Sequence, residues 1–349
     1  SCHESSELGE AEEKMAKGIA VWIREGSVAK DLRELAPLLN SYSSASLGFC
    51  TDDRNPLDIA REGHIDHLVR ESLKMGIPAE TVYRSASWTV ARHYGLDRLS
   101  PARPYRIGAV APGYQADFLV LNDVQTCSIG AVYKAGVDTR ALTFTKLDTA
   151  ATFENSIRAD VPTEGDLQGP AGPVHVIKVI PGKIITDRYV ANAADPALAR
   201  ISVLERYGKG FKPANAYVSG FGEKLRGAIA SSVGHDAHNL IVVGRETADM
   251  KAALAHLIET GGGFCVVEKG RVIASLALPL GGLMSPRPAE ELVTELEKLR
   301  AASASIGCEL DEPFLQLAFL SLPVIPSLKL TDQGLVDVNA FQFIDVRAS

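Results

Sequence analysis

The chain has 349 residues, more than one domain usually needs, and 46% of them are hydrophobic, enough for ordinary cores. A formal net charge of −7 argues against a general attraction to nucleic acid or to an anionic membrane surface. The five cysteines (Cys2, Cys50, Cys127, Cys265 and Cys308) form no CxxC pair and are odd in number, which points to reduced thiols in the cytoplasm and away from a disulfide framework or zinc ribbon. The most apolar long stretch, Val272 to Met284, contains Ser275 and Pro279 and is too short to span a bilayer. No signal peptide is read at the start, and the abrupt opening on Ser-Cys-His-Glu without Met reads as a cut or processed start.

Taken in order, residues 1–5 lead into a short helical pattern from Glu7 to Lys17, with Leu8, Ala11 and Met15 on one face. Ile19 to Ile23 is an apolar run fit for a buried parallel strand. Val28 to Leu39 reads as a helix, and 46–51 as a second strand. Asn55 and Pro56 then look like a cap and first helical position, opening a helical stretch from Pro56 to Met75. A further helix is expected over Ala79 to Tyr94. Strand and helix alternate at about 30 residues per unit, the spacing of β/α barrel repeats. Pro101 and Pro104 break this rhythm. Phe118 to Leu121 and Ala131 to Lys134 then suggest strands of a small β module.

From about residue 160 the pattern is α+β. Strands are expected over Val174 to Ile180, Lys183 to Ile185 and Leu240 to Val243, and a helix over Ala248 to Thr260, stopped by the glycines at 261–263. Phe264 to Val267 and Val272 to Leu276 form a hairpin about Lys269 and Gly270. Pro288 to Ser303 is an amphipathic helix. No internal repeat or low-complexity linker stands out.

His3, Glu25 to Ser27 and Asp52 fall at the ends of three consecutive strand-type segments, and in a β/α barrel such ends converge on one mouth. A neutral imidazole and a carboxylate there suit a divalent ion that activates water, and an acid touching that water can move its proton. The plain alternative is that Asp52 and Asp53 only cap a turn. His64 and His67 share a helix face, where packing competes with ligation. His235, Asp236 and His238 form a polar loop before a buried strand, placed where a loop can reach a site. The zinc nucleobase deaminase signature, the phosphate-binding P-loop and GxGxxG are all absent.

The segments SCHES, WIREGSVAKDL, FCTDDRNPLDIAREGHIDHLVR and GAVAPGYQADFLVLND resemble the amidohydrolase superfamily, and within it the bacterial-type adenine deaminases. RGAIASSVGHDAHNLIVVG, ETGGGFCVVEKG, LPLGGLMS and FLSLPVIPSLKLTDQGLVDV resemble the domain that distinguishes those enzymes. The resemblance implies metal-dependent conversion of adenine to hypoxanthine and ammonia in purine salvage, with manganese or iron, or zinc as an alternative. It makes His3 and Asp52 metal ligands, Asp52 the residue that moves protons, and Glu25 and Ser27 contacts to the purine; from their places in the sequence, Glu4 is expected as a second catalytic acid, Asp53 as a further purine contact, and His64, His235, Asp236 and His238 as a site loop. Cys2 stands where the family usually has Asp. The implied fold is α/β: residues 1–98 the last strands and helices of a (β/α)8 barrel, 99–160 a small β-sandwich module, and 161–349 a C-terminal α+β domain. A whole barrel needs about 250 residues, so its first strands and their metal ligands are expected outside this chain. Adenine is the expected partner, nucleic acid and membrane are not, and a homo-oligomer is anticipated. A related amidohydrolase acting on another purine or cyclic amide, and a non-catalytic partner subunit, are the competing readings.

Overall fold

A computed structural model describes residues 1–143 and 154–348. The chain divides into two compact units, Ser1–Leu147 and Asp148–Ser349.

The first unit is built on a short parallel array. β1 (Val21–Arg24) and β2 (Leu47–Cys50) run parallel, with Val21 beside Leu47 and Arg24 beside Cys50. Cys2 adds a third parallel position by a bridge to Val21; its amide donates to the Ala20 carbonyl and its carbonyl accepts from Trp22, both at 2.8 Å. Parallel neighbours need a crossover, and each connection carries a helix: α1 (Leu8–Ala16) before β1 and the short α2 (Leu32–Leu35) after it. Val21, Ile23 and Leu47 are fully buried and pack with Leu35, Leu68 and Val82.

The helices that follow are shorter than their apolar pattern suggests. Asn55 does cap α3 (Pro56–Glu62), its side chain accepting from the Asp58 amide at 2.9 Å. The chain then turns at Gly63, which takes φ +102°, before α4 (Ile65–Lys74). Ser87 likewise splits the expected 79–94 helix into α5 (Ala79–Ala86) and α6 (Trp88–His93). Its hydroxyl donates to the Tyr83 carbonyl at 2.6 Å, the local competition that bends helices at serine. In the expected 28–39 helix, Pro37 has no amide hydrogen to donate, and α2 passes into a 3-10 turn over Ala36–Leu38. The β module is an antiparallel sheet of β3 (Phe118–Asp123), β4 (Ser128–Lys134) and β5 (Val137–Asp138), with Phe118 stacked on Tyr133 at 4.7 Å. Within the expected 99–160 module, residues 144–153 lie outside the described residues.

The second unit centres on an eight-stranded sheet. Its strands are β6 (Pro173–Val179), β7 (Thr186–Asn192), β8 (Ala199–Leu204), β9 (Ala214–Ser219), β10 (Ala228–Ser231), β11 (Leu240–Gly244), β12 (Gly263–Glu268) and β13 (Arg271–Ala277). Their order is β13-β12-β10-β11-β8-β9-β6-β7, antiparallel throughout except for β6 beside β9. β10 and β11, at the centre, are buried at every position because alternate residues serve two cores. Ala228, Ala230, Leu240, Val242 and Cys265 meet Met250, Leu254 and Leu257 of α7 (Thr247–Thr260) on one face. Ile229, Ile241, Val243 and Val266 face the other, against Leu299 of α8 (Ala289–Ser305), and Phe314 and Leu317 of α9 (Pro313–Ala318). A small antiparallel sheet of β14 (Leu328–Thr331), β15 (Gly334–Asp337) and β16 (Gln342–Ile344) completes that second core. The strand expected over 183–185 is instead the turn before β7, which begins at Thr186.

Gly263 shows how closely these layers fit. Its φ is +135°, and a Cβ there would come within 1.9 Å of the Leu276 carbonyl oxygen on the paired strand. Gly263→Ala is therefore expected to destabilise the second unit by about 2–4 kcal/mol, read from urea unfolding. Lys329 on β14 is another exceptional position. It is wholly buried, its ammonium donates to the Ile184 carbonyl at 2.7 Å, and burial pushes its pKa down to about 7.

Candidate metal centre

Because the Cys2 segment, β1 and β2 run parallel, their C-terminal ends lie on one side, and the next residues of each meet there. The His3 Nε2 lies 3.2 Å from Glu4 Oε1 and 3.9 Å from Asp52 Oδ2. One ligand atom from each of the three can be chosen so that all lie within 4.8 Å of one another. The side chains are open to solvent, with relative exposures of 45% for His3 and Glu4 and 28% for Asp52. Neighbouring side chains diverge in a regular strand, yet His3 and Glu4 converge. Only Cys2 makes a β-bridge there, so strand alternation does not extend to them. Asp52 itself takes φ +54°, a left-handed conformation rare for a residue with a Cβ. Such strain gathers where a side chain must be aimed.

Beneath this cluster lies a residue that is not among the expected site residues. Arg24, the last residue of β1, has a side chain only 1% exposed. Its Nη1 donates to Glu4 Oε2 and to Asp52 Oδ2, each at 3.1 Å. On its other side, Nε donates to Asp31 Oδ2 at 3.1 Å and Nη2 lies 3.0 Å from the same oxygen. Burial alone would lower the guanidinium pKa, but Asp31, Glu4 and Asp52 outweigh it and raise it.

The other expected site residues are engaged locally. Glu25 Oε2 accepts from the Leu32 amide at 3.0 Å, and burial raises its pKa. Ser27 Oγ accepts from the Asn55 amide at 3.1 Å, and the Ser27 amide donates to the Asp53 carbonyl at 2.9 Å. The turns after β1 and β2 are thus tied backbone to backbone. Arg54 strengthens the tie, donating to the Gly63 carbonyl at 2.8 Å and to the Glu25 carbonyl at 3.4 Å. His64 Nε2 is 3.0 Å from the Thr51 hydroxyl, one residue before Asp52. Burial lowers the pKa of His67, whose Nε2 is 3.9 Å from Glu62 Oε2.

His235, Asp236 and His238 belong to the second unit. There His235 stacks on Phe319 at 5.0 Å, and the His238 carbonyl accepts from Arg206 at 3.1 Å. Asp236, Asn239, Ser321 and Asp332 border a cavity of about 230 Å³.

Cys2 differs from the buried thiols. Burial would raise its pKa, but the Glu4 amide, the Lys14 ammonium at 3.2 Å and the Ser5 hydroxyl together lower it. Burial pushes Cys50 and Cys265 up to about 12 and Cys308 to about 11. Limited iodoacetamide treatment at pH 7.5 should therefore label Cys2 before those three, as peptide mass mapping would show.

Residues 4–154 match the family model described as the amidohydrolase family, and residues 181–342 that of the adenine deaminase C-terminal domain. The chain is 43% identical over 360 residues to an adenine deaminase of Shewanella halifaxensis, covering 99% of this chain and 60% of that protein. It is 45% identical over 357 residues to those of Cereibacter sphaeroides and Methylobacterium nodulans, covering 98% of this chain and 61% of each relative. The chain thus spans about 60% of the length of the curated relatives it matches. No helix among the described residues is long and apolar enough to cross a membrane. In its two parts the chain is thus similar to the amidohydrolase family and to the C-terminal domain of adenine deaminases.

Proposed function

We propose that the chain contributes one side of the active centre of a cytoplasmic adenine deaminase, which adds water to adenine and releases hypoxanthine and ammonia. The carrying observation is the convergence of His3, Glu4 and Asp52 at three parallel strand ends. Residues 1–98 are read as the last part of a (β/α)8 barrel. Its other strands, with the remaining ligands, fall to the length of the relatives that this chain does not span.

The donor set fits a divalent cation. One imidazole and hard carboxylate oxygens suit manganese or iron, and zinc as well. The charges agree: Glu4, Asp31 and Asp52 surround one guanidinium, leaving two negative charges in excess. His3 and Asp52 would hold the ion, which when bound lowers the pKa of water so that it attacks at neutral pH. Asp52 accepts a proton from the water that adds to C6 and returns it to N6, which departs as ammonia. Glu4, the other solvent-open acid, stands beside that path. Glu25, Ser27 and Asp53 shape the turns against which the purine ring would lie. The enzyme is read as a homo-oligomer.

The test is ammonia release from adenine by the full-length gene product reconstituted with Mn2+ or Fe2+, with 6-substituted purines and dihydroorotate as competitors. Release from adenine supports the reading, and turnover of another substrate alone would overturn it.

A further inference from the structure

We propose that Arg24 is a positioning residue for this centre: its buried guanidinium holds the Glu4 and Asp52 carboxylates as a pair, with Asp31 anchoring it from behind. The inference rests on the reading of His3, Glu4 and Asp52 as a cation site.

Three observations carry it. The first is place. Arg24 sits on the middle of three parallel segments, beside Cys50 on β2. From there one planar group reaches Glu4 on one neighbour and Asp52 on the other. The second is division of labour within the fork. Nη1 bridges the two open carboxylates, while Nε and Nη2 face Asp31, itself only 2% exposed. A guanidinium offers both edges in one rigid plane, and an ammonium cannot. The third is the orientation it imposes. Glu4 gives Oε2 to Arg24 and turns Oε1 to within 3.2 Å of His3. An acid as open as Glu4 would otherwise sample several rotamers. Fixing one oxygen directs the other at the imidazole, as hydrogen bonds to metal-ligating carboxylates do.

The experiment is a Mn2+ titration of the full-length gene product, following the paramagnetic resonance signal of the free ion. It compares the unmodified chain with Asp52→Asn, Arg24→Lys, Asp31→Asn and the Arg24→Lys/Asp31→Asn double variant. Arg24→Lys keeps the positive charge and loses the fork, so its effect reports geometry. Asp31→Asn removes the anchor and leaves both proposed cation-facing acids intact. Each single variant is expected to weaken Mn2+ binding by about 10-fold or more, with unchanged far-ultraviolet circular dichroism. The double variant should be no weaker than the worse single one, because both act through one linkage. Unchanged affinity in Arg24→Lys and Asp31→Asn would overturn the assignment, as would additive losses. Loss of folded dichroism in both would assign Arg24 to stability alone and overturn it equally. Failure of the cation reading has a different signature: no Mn2+ binding by the unmodified full-length protein, or Asp52→Asn binding as well as that protein, removes both proposals together.

Discussion

Asp52→Asn is expected to lower kcat for adenine deamination in the full-length gene product by about 10²–10⁴-fold, with KM changed far less. The amide keeps the size of the side chain, and its oxygen can still accept from Arg24, which lies 3.1 Å from Oδ2. It cannot carry a proton from water to N6, and it is a weaker cation ligand. The deficit should therefore persist at saturating adenine, and added Mn2+ should not restore full turnover. Ammonia release under steady-state conditions measures both constants. Wild-type kcat in this variant would remove Asp52 from the chemistry and return it to the role of a turn residue.

Lys329→Met should stabilise the second unit, with a magnitude set by a charge confined in an apolar core. The buried amine has a pKa of about 7, against roughly 10.4 for an unconstrained lysine. Below pH 7 the ammonium is protonated in both states, so the full penalty applies. Between pH 7 and 10 the unfolded chain holds a proton that the folded chain has released, and stability rises with pH. At the low end of this window the penalty amounts to about 5 kcal/mol. Methionine removes the penalty and forfeits the hydrogen bond to Ile184, which costs about 1 kcal/mol or more. A net gain of about 2–3 kcal/mol is expected at pH 6, shrinking toward pH 10 as the wild-type chain recovers. Urea unfolding of both proteins across that range would show it; a difference independent of pH would mean the amine is charged in the fold at all these values.

Much of the fold could be read from the apolar pattern. The runs at 19–23 and 46–51 became β1 and β2, and the 248–260 and 288–303 helices and the 264–276 hairpin lie within a few residues of their expected bounds. Boundaries failed where one side chain decided the matter: Ser87 competing for a carbonyl, Pro37 lacking a donor, Gly63 turning the chain. β7 to β10 and β14 to β16 went unread. A segment such as Ala228 to Ser231 is short, and buried strands that feed two cores lack the polar alternation that marks a half-buried strand. The closeness of His3 and Asp52 was legible because strand ends in a parallel array must meet. The approach of Glu4 to His3 was not legible, because neighbouring side chains diverge in a regular strand. Arg24 stayed hidden because no residue type announces the ion pairs it will make. In the histidine-bearing loop at 235–238, the ring of His235 stacks on Phe319, a contact that composition alone does not announce.

The hydrogen bonds that join Ser27 to Asp53 and Asn55 make the turns after β1 and β2 a single mechanical part. An insertion in one turn would drag the other with it, and with it the backbone that aims Asp52. Related proteins that vary the length of one turn should therefore vary the second in step, so that the two are inherited as a matched pair.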